Sequence, residues 1–461
     1  MNPRKILILT GVVLALFAFI ILFERRMPTT EERQRKGPLH WTLPSDRVDS
    51  IRIERQDATF ELKKNDAGAW RVVKPEAYPA DAFAAGDLAK ELADLKRAGG
   101  DAAGAKPEDY GLKPPSVKAT FTWTEESQPS KKKTRTVEFG IDIPGTDIAA
   151  AQLSGSDKVL FVPSSVLASV KRGVNDFKSR EVFSGSAADV ATLDIERGRG
   201  HLVLARKAGT WWLQQPVTDL ADGSGATRLA EELVALRAID FVGSSDKENL
   251  ATQGLAPPLF RVSIVDAKGA RSSVDLGATR SDGNSVYARR ESQVLTVGNA
   301  IVEELSKEAS AYREARLVTP DRGAVAGIEG DFGGEKFVFS RAGANWSADG
   351  KPVTSAAAEE LLTTILDLKS KSFLEEPDAA KLKPQAPTAT VRLTMAPEGW
   401  DVKLYAVRAD VQATVGRRPG AFVLAGDTVT RLQAAFKKAA TSQPTPAPAP
   451  TVAPAAPPKK K

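Results

Sequence analysis

The sequence predicts an α+β fold: an N-terminal transmembrane helix followed by three tandem modules, each an antiparallel β-sheet with a helix packed on it. Three observations predict it. An uncharged, largely apolar run fills Ile6 to Phe23. A pattern of alternating strands, a tryptophan and a helical ridge occurs three times in one order. The strands recur at hairpin spacing and the helices are segregated from them, which favours antiparallel α+β over a doubly wound sheet.

The anchor comes first. Eighteen residues at about 1.5 Å each span roughly 27 Å, close to the hydrocarbon thickness of a bilayer. Arg4 and Lys5 precede the run, and Glu24, Arg25 and Arg26 follow it. A cleaved signal peptide has a shorter apolar run and a small-residue cleavage site. Residues 1–26 therefore read as an uncleaved single-pass anchor. The two N-terminal charges favour the cytoplasm for the short end. The expectation is an inner (cytoplasmic) membrane protein with the bulk of its chain in the periplasm or extracytoplasmic space.

Residues 27–46 read as a polar tether, and the first module is expected over 47–185. Alternation places Ile51, Ile53, Phe60 and Leu62 on one sheet face, followed by Trp70 and Pro75. The second module, 186–320, repeats this with Leu193, Ile195, Leu202, Leu204, Trp211 and Pro216. The third, 321–440, has Ile328, Phe337, Phe339, Trp346 and Pro352, but glycine at 330 where an apolar residue is expected. A helix follows each tryptophan. Its ridge is Leu88, Leu92, Leu95, then Leu229, Leu233, Leu236, then Leu361, Ile365, Leu368, spaced to share one helix face.

The second half of the unit recurs too. Gly111-Leu112 with Pro114-Pro115 matches Gly254-Leu255 with Pro257-Pro258, and the third copy keeps Leu382 and Pro384. Strands follow at Val137–Gly140, Val274–Gly277 and Val402–Tyr405, then at Val159–Val162, Val294–Val297 and Phe422–Leu424. Short helical stretches are expected near Val166, Ile301 and Val429. Residues 441–461, rich in proline and alanine, read as a disordered tail.

Composition bounds the chemistry. With 461 residues, 42% hydrophobic and 26% charged, the chain can bury several cores. It has no cysteine, which excludes disulfides, thiolate metal sites and a cysteine nucleophile. The net charge of +6 sits at the two ends, leaving the body near neutral. A nucleic-acid binder carries its basic excess on a folded domain, so no nucleic-acid partner is expected.

No catalytic constellation stands out, and neither metal nor cofactor is expected. His40 and His201 are isolated and form no metal triad. Glu231-Glu232 and Glu359-Glu360 fall on helices away from the leucine ridge and read as solvated faces. Gly198–Gly200 and Gly333-Gly334 lack the lysine and hydroxyl residue of a phosphate loop and fit hairpin turns. Lys131-Lys132-Lys133 reads as a charged loop tip. Trp70, Trp211 and Trp346, at equivalent positions, are either repeated core residues or stacking platforms for a glycan.

The anchor, the strand pair running into tryptophan at Ile51–Trp70, the helix, Gly111–Pro115 and the strand Val274–Gly277 resemble DUF4340, a domain-of-unknown-function family, from Val48 to about Lys438. The resemblance implies a membrane-anchored bacterial protein that accompanies ABC transporters of the gliding-motility type. The expected function is thus a non-enzymatic accessory or scaffold, with a protein partner in a transporter complex. A cell-wall or glycan-binding repeat protein is the alternative, and a hydrolase a distant third.

Overall fold

The computed structural model describes residues 40, 41, 43–98, 104–125, 128–382 and 384–444. The expected anchor at Ile6 to Phe23, most of the tether and most of the tail lie outside the described residues. Among the described residues no helix is long and apolar enough to cross a membrane. The chain forms two compact units: residues up to 182 with 237–250 and 289–296, and residues 183–236 with 251–288 and from 297 on.

Three antiparallel sheets and their helices give the expected α+β class. The first contains β1 (Val48–Arg55), β2 (Thr59–Lys64), β3 (Trp70–Lys74), β4 (Tyr78–Pro79), β5 (Val117–Glu125), β6 (Gln128–Asp142), β7 (Ile148–Leu153) and β8 (Leu160–Pro163). Their order is β4-β3-β2-β1-β5-β6-β7-β8. Helix α1 (Ala82–Ala93) separates the two runs of strands and α2 (Ser164–Lys171) follows them.

The second sheet uses β9 (Val190–Arg197), β10 (Gly200–Lys207), β11 (Thr210–Gln215), β12 (Asp219–Leu220), β13 (Asp240–Ser244), β14 (Phe260–Asp266), β15 (Arg271–Thr279), β16 (Ser285–Arg290) and β17 (Gln293–Gly298). Its order is β12-β11-β10-β9-β14-β15-β16-β17-β13, with helices α3 (Gly223–Ala235) and α4 (Ala300–Ser306).

The third repeats that order with β18 (Gly327–Phe332), β19 (Glu335–Ala342), β20 (Asn345–Ala348), β21 (Lys351–Val353), β22 (Ser372–Leu374), β23 (Ala389–Thr394), β24 (Trp400–Val407), β25 (Asp410–Val415) and β26 (Ala421–Ala425). Its helices are α5 (Ser355–Leu366), α6 (Glu376–Ala379) and α7 (Thr428–Thr441).

Alternation decides which sheet face is buried. In the first unit Ile51, Ile53, Phe60, Leu62, Val117, Ala119 and Phe121 point to one core with Leu88 and Leu92 of α1. In the second unit Ile328, Phe337, Phe339, Val391 and Leu393 do the same with Leu361 and Ile365 of α5. Asp81 and Asp222 cap α1 and α3 by accepting from Ala84 N and Ser224 N, which fixes where those helices start.

Local readings differ in four places. The third ridge residue is not helical: α1 ends before Leu95, α3 before Leu236 and α5 before Leu368. The chain turns off the helix there, and Leu95 and Leu368 remain buried as plugs. The third module's closing helix is long rather than short, because α7 carries Leu432 and Phe436 onto the third sheet. Residues 40–43 pack on the first module. The Trp41 ring joins its core, and His40 N and Leu43 N donate to Leu95 O and Ala93 O.

The fourth difference explains a gap in the repeat. A Cβ on Gly140 would lie 2.0 Å from Tyr110 O, and one on Gly277 would lie 2.2 Å from Gln253 O. Glycine is required there because the Gly-Leu-x-Pro-Pro loop seats directly on the strand. In the third module α6 replaces that loop. The strand then carries Tyr405 instead of glycine, buried with Ala379, Leu382 and Ala421.

Candidate functional site

Trp70, Trp211 and Trp346 occupy equivalent sheet positions and are all buried. Each lies under a cation from the neighbouring strand: Lys64 at 5.1 Å, Arg206 at 4.6 Å and Arg341 at 5.5 Å from the ring centroid. Register brings these pairs together, Lys64↔Trp70, Arg206↔Trp211 and Arg341↔Trp346. The indole N–H groups of two are also engaged: Trp211 Nε1 donates to Thr227 Oγ1 and Trp346 Nε1 to Glu359 Oε1. A sugar stacking on these rings would have to displace a cation.

Glu359 departs from the solvated-face reading. It is half-buried, accepting from Trp346 and from Arg322 Nε at 2.9 Å. Burial raises its pKa, but the hydrogen bonds from Arg322 and Trp346 outweigh it and hold the carboxyl below the usual range. Glu360 is exposed and accepts from Lys438, while Glu231 and Glu232 are exposed on α3.

The uncovered face of each sheet is the largest surface without a helix over it. On the third sheet it holds a cavity of about 520 Å³ whose charged lining is Glu329, Asp331, Lys336, Arg392, Asp401 and Lys403. Three carboxylates face three cations. Arg392 lies 2.5 Å from Asp401 and 3.9 Å from Glu329. The hydrogen bond to Asp401 raises the Arg392 pKa. The corresponding face of the first sheet carries hydroxyl pairs, Thr120–Thr136 at 2.8 Å and Thr122–Thr134 at 3.1 Å. The second carries Ser263–Ser273 at 2.8 Å and Arg261–Asp275 at 2.9 Å. These are paired, polar recognition surfaces. The ionisable groups they gather are matched to one another and leave no carboxylate poised as acid or base.

One cluster has metal-like spacing. Asp194, Glu196 and His201 offer ligand atoms within 4.8 Å of one another. Arg271 binds Asp194 Oδ2 at 2.8 Å and His201 Nε2 lies 2.8 Å from Asp194 Oδ1, so protein groups occupy both oxygens of that carboxylate. His40 Nε2 lies 3.2 Å from Phe161 O. Gly198 and Gly333-Gly334 have positive φ in hairpin turns.

Two buried polar clusters were not foreseen. In the second unit Asp219 on β12 meets two arginines, both nearly inaccessible. Arg418 Nε and Nη2 donate to its two oxygens, each at 2.9 Å, and Arg313 Nε donates to Oδ2 at 2.5 Å. Arg418 Nη2 also donates to Glu314 O at 2.7 Å, and the two guanidiniums lie 4.4 to 5.4 Å from the rings of Phe373 and Phe422. In the first unit the matching positions are Tyr78, Lys178 and Arg290. Lys178 Nζ donates to Gln293 Oε1 at 2.5 Å, and Arg290 donates to Glu181 O. Burial lowers the Lys178 pKa. The basic residue after Phe177 and after Tyr312 was a visible signal, since it recurs at the end of two copies. Its partners were not visible, because one copy answers with tyrosine and glutamine and the other with aspartate.

A family model described as Domain of unknown function (DUF4340) matches residues 70–253 and 244–387. No curated protein matches the chain. Among solved structures, the DNA polymerase III subunit beta from Pseudomonas aeruginosa is 8% identical, with TM-score 0.13 over 83% of this chain and 93% of that one. The sliding clamp from the same organism with a ligand is 8% identical, with TM-score 0.12 over 84% and 93%. Likeness at that level carries no argument about this chain.

Proposed function

The chain belongs to the DUF4340 family, and on that footing we propose that it is a non-enzymatic accessory or scaffold subunit of a membrane complex of the ABC-transport type. Ile6 to Phe23 holds it at the inner membrane, with the modules in the periplasm. One observation carries this reading: each sheet spends one face on its core and leaves the other uncovered, polar and internally ion-paired. Such faces suit recognition of a protein surface, where matched charges set register and partner choice. The buried charges of both units are likewise spent on holding elements together, not on chemistry. The wall-binding alternative gains no support from Trp70, Trp211 and Trp346, whose rings lie buried beneath cations.

The test is recovery of the tagged full chain from native membranes in mild detergent after brief crosslinking. Permease or ATPase subunits should co-elute in fixed ratio. A chain recovered alone after crosslinking would overturn the proposal.

A further inference from the structure

We propose that the basic end of the β5–β6 hairpin in the first module rests on anionic lipid headgroups. The inference depends on the anchor reading and adds to it a second, electrostatic contact with the membrane.

The hairpin is longer than its counterparts. β6 has 15 residues, against 9 in β15 and 8 in β24. β5 has 9, against 7 in β14 and 6 in β23. The core does not need the added length, since the other two modules close without it. The extension carries Lys131, Lys132 and Lys133, all exposed. Lys132 lies 3.4 Å from Asp49 and Lys133 2.6 Å from Glu125, yet their side chains keep 59% and 48% of their exposure. Lys63 is exposed at the same end, opposite Ser50 of β1.

The chain enters the module at this end. Val48, the first residue of β1, pairs with Trp123, and Trp123 pairs with Lys133. Just upstream, Trp41 lies beneath Arg135 of the same hairpin, 4.5 Å from ring centroid to guanidinium carbon. The described chain therefore begins against the strand that bears the lysines. Seventeen residues separate Phe23 from His40, a reach of at most about 60 Å when fully extended. A membrane-embedded Ile6–Phe23 thus delivers the module with its lysine-bearing end toward the headgroups. Lysine ammoniums on flexible stems suit phosphates on a fluid surface better than a shaped pocket.

The chain has no cysteine, so a single Thr134→Cys substitution gives one labelling site beside the lysines. The full chain, labelled there with a fluorophore, is reconstituted into vesicles of phosphatidylcholine alone or with a third phosphatidylglycerol. A quencher is attached to the headgroups. Flotation with both kinds of vesicle reports the anchor. Quenching at residue 134 should be several-fold greater with phosphatidylglycerol. It should fall to the phosphatidylcholine level in about 0.5 M salt, and in the variant Lys131→Gln/Lys132→Gln/Lys133→Gln. A chain that floats but is quenched equally in both compositions overturns the hairpin contact alone. A chain that fails to float overturns the anchor and this inference with it.

Discussion

Gly330 lies directly beneath the ring of Phe436. A Cβ at residue 330 would sit 2.5 Å from Phe436 Cε1 and 2.8 Å from Cζ. The ring also packs against Phe332, Phe337 and Phe339, with centroids 5.2 to 5.9 Å away. The missing apolar side chain of the third repeat has therefore been replaced by one from α7, reaching in from the far end of the module. Gly330→Ala should cost about 1–3 kcal/mol, since the ring must shift in a filled core. Phe436→Ala should cost about 3–5 kcal/mol. The double variant should be less destabilised than the sum, because the added methyl then occupies emptied space. Additive losses in urea denaturation would contradict this account.

The Asp219 cluster makes a different prediction. Asp219→Ala leaves two guanidiniums buried without their carboxylate, so about 3–5 kcal/mol should be lost. Replacing Asp219, Arg313 and Arg418 together with leucine or methionine should cost far less, because no charge is then left unpaired. Denaturation midpoints of the two variants, measured on the full chain, separate these outcomes. A triple variant as damaged as Asp219→Ala would assign the cluster a role beyond charge balance.

Trp211→Ala should destabilise its module by about 3–5 kcal/mol, as expected for a buried aromatic. Arg206→Ala should cost about 0.5–1 kcal/mol, the usual worth of a partly exposed cation over a ring. Near-ultraviolet dichroism reports loss of the indole environment alongside the melting curve. An unchanged melting curve for Trp211→Ala would exclude a core role for the residue.

The features legible in the sequence are those written by periodicity. Ile51, Ile53, Leu193 and Ile328 announce strands because apolar residues alternate, and Leu88 and Leu92 announce a helix because they are four apart. Features built from distant parts were hidden. Phe436 fills the place of Gly330 from more than a hundred residues away, and no local pattern links them. Asp219 and Arg418 likewise look like ordinary surface charges until the fold joins them. Glu359 reads as solvated because its neighbours are polar, yet Trp346 and Arg322 cover it. The uncovered sheet faces were half visible: alternation marks the polar positions, but not which of them pair across strands.

Glu359 offers a pH test. Its folded pKa lies below the ordinary carboxylate value of 4.5, because the hydrogen bonds from Arg322 and Trp346 outweigh burial. A depressed folded pKa contributes stability that is fully present above the unfolded value and is lost as pH falls through the folded one. The stability gap between the native chain and Glu359→Gln should therefore be constant at neutral pH. It should begin to close near pH 4.5 and vanish at lower pH. Trp346 should report the same protonation, since its indole N–H loses an ionised acceptor, and its fluorescence in Glu359→Gln should no longer respond over that range. A gap that widens on acidification would reverse the assigned sign and place the dominant effect with burial.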